Sequence, residues 1–133
     1  MNGKPFFDTN ILIYAFSEDP RADAADMLLR SGGIVSVQVL NEFVNVSWTK
    51  AKRSWTEISQ ALELFRTLLE PPLPLTVEIH EKAITLARED RLPFYDALIV
   101  AAAVMAECPV LYTEDMQHGR RIGELLISNP FLT

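Results

Sequence analysis

Read for hydrophobic pattern alone, the chain divides into short apolar runs and longer stretches where apolar residues return every three or four positions. The short runs predict strands at Lys4-Pro5-Phe6-Phe7-Asp8, Ile34-Val35-Ser36-Val37, Val110-Leu111-Tyr112-Thr113 and Leu125-Leu126-Ile127. Leu73-Pro74-Leu75 is held to a brief strand by its prolines. After the first strand, Thr9-Asn10 turns into an apolar run from Ile11 to Phe16.

The helical stretches come with start and stop signals. Asp19-Pro20 supplies an N-cap and a proline at the first helical position; Ala22, Ala25, Leu28 and Leu29 then share a face, and Gly32-Gly33 ends the helix. Ser36 caps a helix with Leu40, Phe43, Val44 and Ser47 on one face and Glu42 near its edge. Ser54-Trp55-Thr56-Glu57 is a capping box ahead of Ile58, Ala61, Leu62, Phe65, Leu68 and Leu69, and Pro71-Pro72 closes that helix. Thr76 caps a further helix with Val77, His80, Ala83, Ile84 and Ala87 on one side, before Leu92-Pro93 breaks the pattern.

The stretch from Phe94 to Ala106 differs from the rest. Asp96 is followed by ten apolar residues without a break. A helix that is apolar all round belongs at the centre of a fold, and this one is far short of the roughly twenty residues that span a bilayer. Its first turn nevertheless carries a carboxylate, which is costly to desolvate without a partner.

Strands alternating with helices predict an α/β fold with a parallel sheet covered by helices on both sides. At 133 residues and 49 % hydrophobic content, the expectation is one compact domain over residues 1–133. The net charge of −6 argues against a broad basic surface for nucleic acid. It leaves room for a nuclease, because a bound cation adds positive charge that the formal count omits. The single cysteine, Cys108, excludes an internal disulfide and a cysteine-rich zinc site; lying between the apolar helix and a strand, it reads as a buried inert thiol. No signal-peptide pattern precedes Asp8, so a soluble cytoplasmic protein without membrane contact is expected.

In open parallel sheets, ligands bind beyond the carboxyl ends of the strands. Asp8 and Asp115 stand at or just past such ends, and Glu42 and Asp96 lie early in helices that start there. Singly, each has an ordinary reading: a solvated helix residue for Glu42, a helix N-terminal acid for Asp96, loop hydrogen bonding for Asp8 and Asp115. Together, two such charges about 4 Å apart repel by roughly 4 kcal/mol at an effective dielectric near 20. A converged set therefore holds either a proton or a divalent cation, and carboxylate oxygens favour hard ions such as Mg²⁺ or Mn²⁺.

Phe7-Asp8-Thr9-Asn10, Asn41-Glu42-Phe43, Tyr95-Asp96-Ala97-Leu98-Ile99 and Thr113-Glu114-Asp115-Met116-Gln117-His118-Gly119 resemble, in that order, the acidic motifs of PIN-domain ribonucleases. The nearest likeness is to the VapC-type toxins of toxin–antitoxin pairs, and it runs from Phe6 to about Phe131. The resemblance implies a three-layer α/β fold and a Mg²⁺- or Mn²⁺-dependent endoribonuclease whose carboxylates are Asp8, Glu42, Asp96 and Asp115, supported by Asn10 and Thr113. Asp8 and Asp96 are expected as principal ligands, with Glu42 and Asp115 on a second ion or on water. Glu114 adjoins Asp115, so either side chain could reach the ion; the family spacing from Thr113 favours Asp115. The resemblance further implies RNA as substrate, a cognate antitoxin and a homodimer.

Two other classes compete. An acid-pocket phosphohydrolase of the haloacid-dehalogenase type wants a second Asp two residues after the first, where Asn10 stands; a phosphoacceptor domain wants one on a middle strand, and none occurs between Ile34 and Lys52. A silent PIN-like module binding RNA or protein would not require the complete acidic set. Lys50, Lys52 and Arg53, the pair Arg120-Arg121, and the rings of Trp48 and Trp55 are secondary candidates for RNA contact, with surface charge and packing as their ordinary roles. His80, on an apolar face, reads as structural; His118 lies in a loop.

Overall fold

The computed structural model describes residues 3–132. The elements run β1 (Phe6–Phe7), α1 (Thr9–Ala15), α2 (Ala22–Arg30), α3 (Val37–Thr49), α4 (Trp55–Leu68), α5 (Val77–Glu89), α6 (Phe94–Met105), β2 (Val110–Tyr112), β3 (Arg121–Ile122) and β4 (Leu125–Ser128). The sheet order is β1-β2-β4-β3. β1 and β4 flank β2 in parallel, with Phe6 opposite Leu111 and Leu111 opposite Ile127; β3 adds an antiparallel edge. The α/β class and the mostly parallel sheet are as the sequence pattern predicts.

The edge beyond β1 is thinner than expected. Ile34–Val37 and Leu73–Leu75 form only single parallel bridges, Phe6 to Ile34 and Ser36 to Leu73. Leu73 donates to Val35 O and accepts from Val37 N, but Pro71, Pro72 and Pro74 around it have no N–H to extend the ladder. Gly33 lets this segment approach: a Cβ there would run into the Phe7 ring and come within 2.9 Å of Pro5 O.

Three helix expectations change. The run Ile11 to Phe16, given no element type by its pattern, begins inside α1, which Asp8 caps. α2 starts at Ala22, one turn after Asp19, whose carboxylate accepts from Arg21 N and Nε at 2.8 Å each and whose carbonyl accepts from Ala22 N at 2.9 Å. On α5 the buried stripe is Ile79, Ala83 and Leu86, while Val77, His80 and Ile84 face out. His80 is thus no core histidine; its ring meets that of Phe94 edge-on at 5.8 Å. The caps at Ser36, Ser54 and Thr76 form as expected, the Ser54–Glu57 box in both directions.

α6 is the centre of the packing. Ala97 through Ala103 are all buried, and the helix lies against α5, α3 and β2. Phe43 extends this core toward α4 through an edge-on contact with Phe65 at 5.0 Å. Cys108 is buried, and burial pushes its thiol up to about 11, so it stays unionised and inert at neutral pH. Among the described residues, no helix is long and apolar enough to cross a membrane.

Candidate active site

Asp8 is the most enclosed of the four acids, only 4 % exposed. β1 ends one residue before it, and its extended backbone makes it the N-cap of α1, with Thr9 N donating to its Oδ1 at 2.6 Å. Its other oxygen, Oδ2, accepts from Thr113 Oγ1 at 2.7 Å and from Asn10 Nδ2 at 3.5 Å. Burial pushes the Asp8 carboxyl up to about 6; the bonds from Thr113 and Thr9 pull it down, and charge on Glu42 and Asp96 pushes it further up.

The other acids surround it. Asp96 sits half-buried in the first turn of α6 and makes no side-chain hydrogen bond among the described residues. Burial raises its pKa, followed by charge on Glu42 and on Asp115. Each of the four therefore feels at least one other. Asn10 links Asp8 to Asp115 directly, its amide donating to Asp115 Oδ2 at 3.1 Å. Glu42, on α3, is held by two donors: Thr9 Oγ1 at 2.9 Å and Gln38 Nε2 at 3.1 Å.

Thr113 and Asn10 act as the frame. Thr113 Oγ1 donates to Asp8 and accepts from Asp115 N at 3.1 Å, so one hydroxyl sets both the end of β1 and the turn after β2. Asn10 Oδ1 accepts from Glu114 N at 3.2 Å, fixing the same turn from the α1 side. That turn separates its two acids. Glu114 points away from the cluster, accepting from Tyr14 Oη at 2.5 Å and Arg21 Nη1 at 2.7 Å, while Asp115 points in. The guanidinium of Arg21 lies 4.1 Å over the Tyr14 ring, and burial with the Glu114 bond raises the Tyr14 phenol to about 12.

The donor set is all oxygen and acidic, which suits a hard divalent cation. Among the described residues, no three His, Cys, Asp or Glu side chains stand so that they could hold an ion between them. Mg²⁺ does not require that, since it keeps several waters and takes one or two carboxylates. The excess negative charge and the buried Asp8, whose raised pKa a nearby cation would lower, fit such an ion.

With this geometry in view, the sequence profile described as PIN domain matches residues 6–123. The chain belongs to the PIN-domain family. No curated protein sequence matches it. Three solved structures share the PIN fold. A chain of a toxin–antitoxin complex from Klebsiella pneumoniae superposes with a TM-score of 0.73 at 21 % identity, covering 96 % of this chain and 98 % of that one. VapC20 from Mycobacterium tuberculosis, described as a sarcin-ricin loop cleaving toxin, gives 0.67 at 23 %, with 84 % and 89 % covered. A chain of VapBC2 from Rickettsia felis, bound to a DNA fragment from its promoter, gives 0.69 at 23 %, with 94 % and 97 % covered.

Sequence reasoning missed Thr9 and Gln38 as the holders of Glu42, and Tyr14 and Arg21 as the holders of Glu114. Gln38 carried a signal, standing one helical turn before Glu42; Arg21 carried none. The secondary candidates are mostly engaged elsewhere. Arg53 donates to Phe16 O at 2.9 Å, Arg120 to Asp90 O at 2.6 Å, and His118 Nδ1 accepts from Asn129 N at 2.9 Å. Trp48 and Trp55 stack on each other at 4.3 Å while remaining 45 % and 54 % exposed.

Proposed function

We propose that this PIN-domain protein is a metal-dependent endoribonuclease, the toxin of a toxin–antitoxin pair, with Asp8, Glu42, Asp96 and Asp115 as the residues that hold Mg²⁺ or Mn²⁺. The observation that carries this reading is Asp8: a buried carboxyl beside Glu42 and Asp96, raised in pKa by burial and by their charge, yet held in place by Thr113, Asn10 and Thr9. Burying it costs stability, and a cation supplied to the cluster offsets that cost. When bound, such an ion lowers the pKa of its water and offsets charge on the phosphoryl oxygens.

The chain's own residues do the positioning. α6 is locked by its buried body, so Asp96 on its first turn is presented from a rigid element. Thr113 keeps a lone pair of Asp8 occupied, which leaves its remaining oxygen surface to face the cluster. Glu42 retains its carboxylate orientation through Thr9 and Gln38. Asp8 and Asp96 serve as principal ligands; Glu42 and Asp115 serve a second ion or orient water.

The partners follow from the same reading. The fold is shared with chains of toxin–antitoxin complexes, and a basic antitoxin side chain suits this acidic pocket. The exposed Trp48–Trp55 stack supports a homodimer, which sedimentation at tens of micromolar checks: a strict monomer removes it. The deciding test is cleavage of RNA by pure protein with Mg²⁺ or Mn²⁺, with EDTA, and by Asp96→Asn. Cleavage should need the ion and fail in the variant; cleavage in EDTA would sink the metal-dependent reading.

A further inference from the structure

One groove runs from Glu42 away from the other three acids. It is lined by Gln38, Asn41, Glu42, Asn45 and Val46 of α3 and by Tyr95 of α6. Asn41 and Asn45 are one helical turn apart, both exposed, and their side-chain amides make no hydrogen bond among the described residues. Tyr95 is 66 % exposed and immediately precedes Asp96, so its backbone is fixed by the buried body of α6. The groove has an aromatic wall, a partly buried valine, unpaired amide donors and acceptors, and one charge, Glu42, at its edge with the acid cluster.

This lining selects its occupant. No cation is among the lining residues, so a phosphate would meet only the negative charge of Glu42. A nucleobase is neutral and planar: its π-face suits the Tyr95 ring, and its edge presents donors and acceptors that an asparagine amide can match. A volume of about 390 Å³ places the groove within the size of small-ligand sites, roughly 300–1,000 Å³.

We propose that Tyr95, Asn41 and Asn45 form a nucleobase subsite that takes one unstacked base of single-stranded RNA next to the bond to be cut. This inference rests on the ribonuclease reading for its place in a reaction, but it can be measured without turnover. Stacking on Tyr95 would hold the base, and the two amides would make the enzyme prefer some bases over others at one position flanking the cut.

The test joins binding with cleavage. Binding of a short fluorescent single-stranded RNA of mixed sequence is followed by anisotropy in Ca²⁺, with intactness of the RNA checked afterwards. Tyr95→Ala should weaken binding about tenfold, as loss of one stacked base does, and Tyr95→Phe should keep it. Met27→Ala, on an exposed α2 residue, serves as the control and should bind as the parent does. Cut sites mapped on a randomised RNA with Mg²⁺ or Mn²⁺ should show a base preference that the Asn41→Ala/Asn45→Ala double variant loses. Should Tyr95→Ala fail to give a native melting curve, that double variant decides alone. Folded variants with parental RNA affinity and base preference overturn the subsite while leaving the ribonuclease reading intact. Tyr95-dependent binding without any cleavage keeps the subsite and removes the ribonuclease reading. RNA neither bound nor cut overturns both, and variants that loosen only a protein partner assign the groove to that partner and overturn the subsite.

Discussion

Thr113 Oγ1 donates to Asp8 Oδ2 across 2.7 Å, joining two segments 105 positions apart where the neighbouring strands β1 and β2 finish. The bond holds Asp8 in one orientation and favours its ionised form against the burial that opposes it. Thr113→Val keeps the side-chain shape and removes the donor. The variant should lose about 1–2 kcal/mol of stability, and its Asp8 should titrate above the parental value. If ionised Asp8 is needed for cleavage, the acidic limb of the pH–rate profile moves to higher pH. An unchanged limb in a folded variant would show that Asp8 does not set it.

Adjacent acids in the turn after β2 should behave as opposites. Glu114 is turned outward onto Tyr14 and Arg21, whereas Asp115 receives Asn10 and adds charge at Asp96. Asp115→Asn should cut activity and Mg²⁺ affinity by roughly a hundredfold, on the scale of losing a ligand or its direct support. Glu114→Gln should leave both within about threefold and change stability little, since the Arg21–Glu114 ion pair stays partly open to solvent and is screened. Paired calorimetric titrations with Mg²⁺ distinguish them. A Glu114→Gln defect as large as that of Asp115→Asn would mean the turn, not the charge, is what matters.

What could be read from the chain beforehand was what periodicity and local chemistry encode. The caps at Ser36, Ser54 and Thr76 and the buried α6 rest on neighbours within one or two turns, and all were legible. The direction of Glu114 was not. It depends on Tyr14 and Arg21, 100 and 93 positions away, which no local pattern connects to it. The same holds for the α5 face, where two apolar stripes share Ala83 and only packing on α6 chooses between them. At the edge beyond β1, prolines restricted the strand as expected, but the further reduction of Ile34–Val37 to a bridge is a property of its partner segment. Position along the chain and the family motifs pointed to the four acids as one group and to their repulsion; the roles of Thr9 and Gln38 in holding Glu42 required the fold.

Gly33 links the sheet edge to the site. Alanine there would press its Cβ into the Phe7 ring and against Pro5 O, one residue before Asp8. Gly33→Ala should cost about 1–3 kcal/mol from overpacking, read as a shift in the urea midpoint without a change in slope. Gly32→Ala tests a different cause: its Cβ meets open space, but its φ of +91° strains any side chain, so the loss there is conformational. Only the Gly33 variant should also disturb Asp8, seen as altered Mg²⁺ affinity. Equal effects of both on the ion would break the argument that β1 transmits the displacement.

The titration of Asp8 gives the ion-free protein an unusual pH dependence. Its carboxyl stands at about 6 in the native state against 3.8 ordinarily. Below pH 3.8 both states hold the proton, and Asp8 contributes nothing. Between roughly pH 4 and 6 the unfolded chain has released a proton that the native state keeps, so stability falls as pH rises. Above pH 6 the native state must ionise too, and the penalty levels off at about 3 kcal/mol, from 2.2 units at 1.36 kcal/mol each. Asp96, raised in the same direction, adds to the trend, whereas Asp19, lowered to about 2, acts only below this window. Urea melts in EDTA should show the parent losing stability from pH 4.5 to 7.5, and Asp8→Asn should flatten that loss. Mg²⁺ at a hundredfold over its dissociation constant should restore about 2.7 kcal/mol at pH 7.5 in the parent and less in the variant. A parent whose EDTA curve rises over this range relative to Asp8→Asn would show that Asp8 is stabilised as an anion by its hydrogen bonds, and that no cation is needed to hold it.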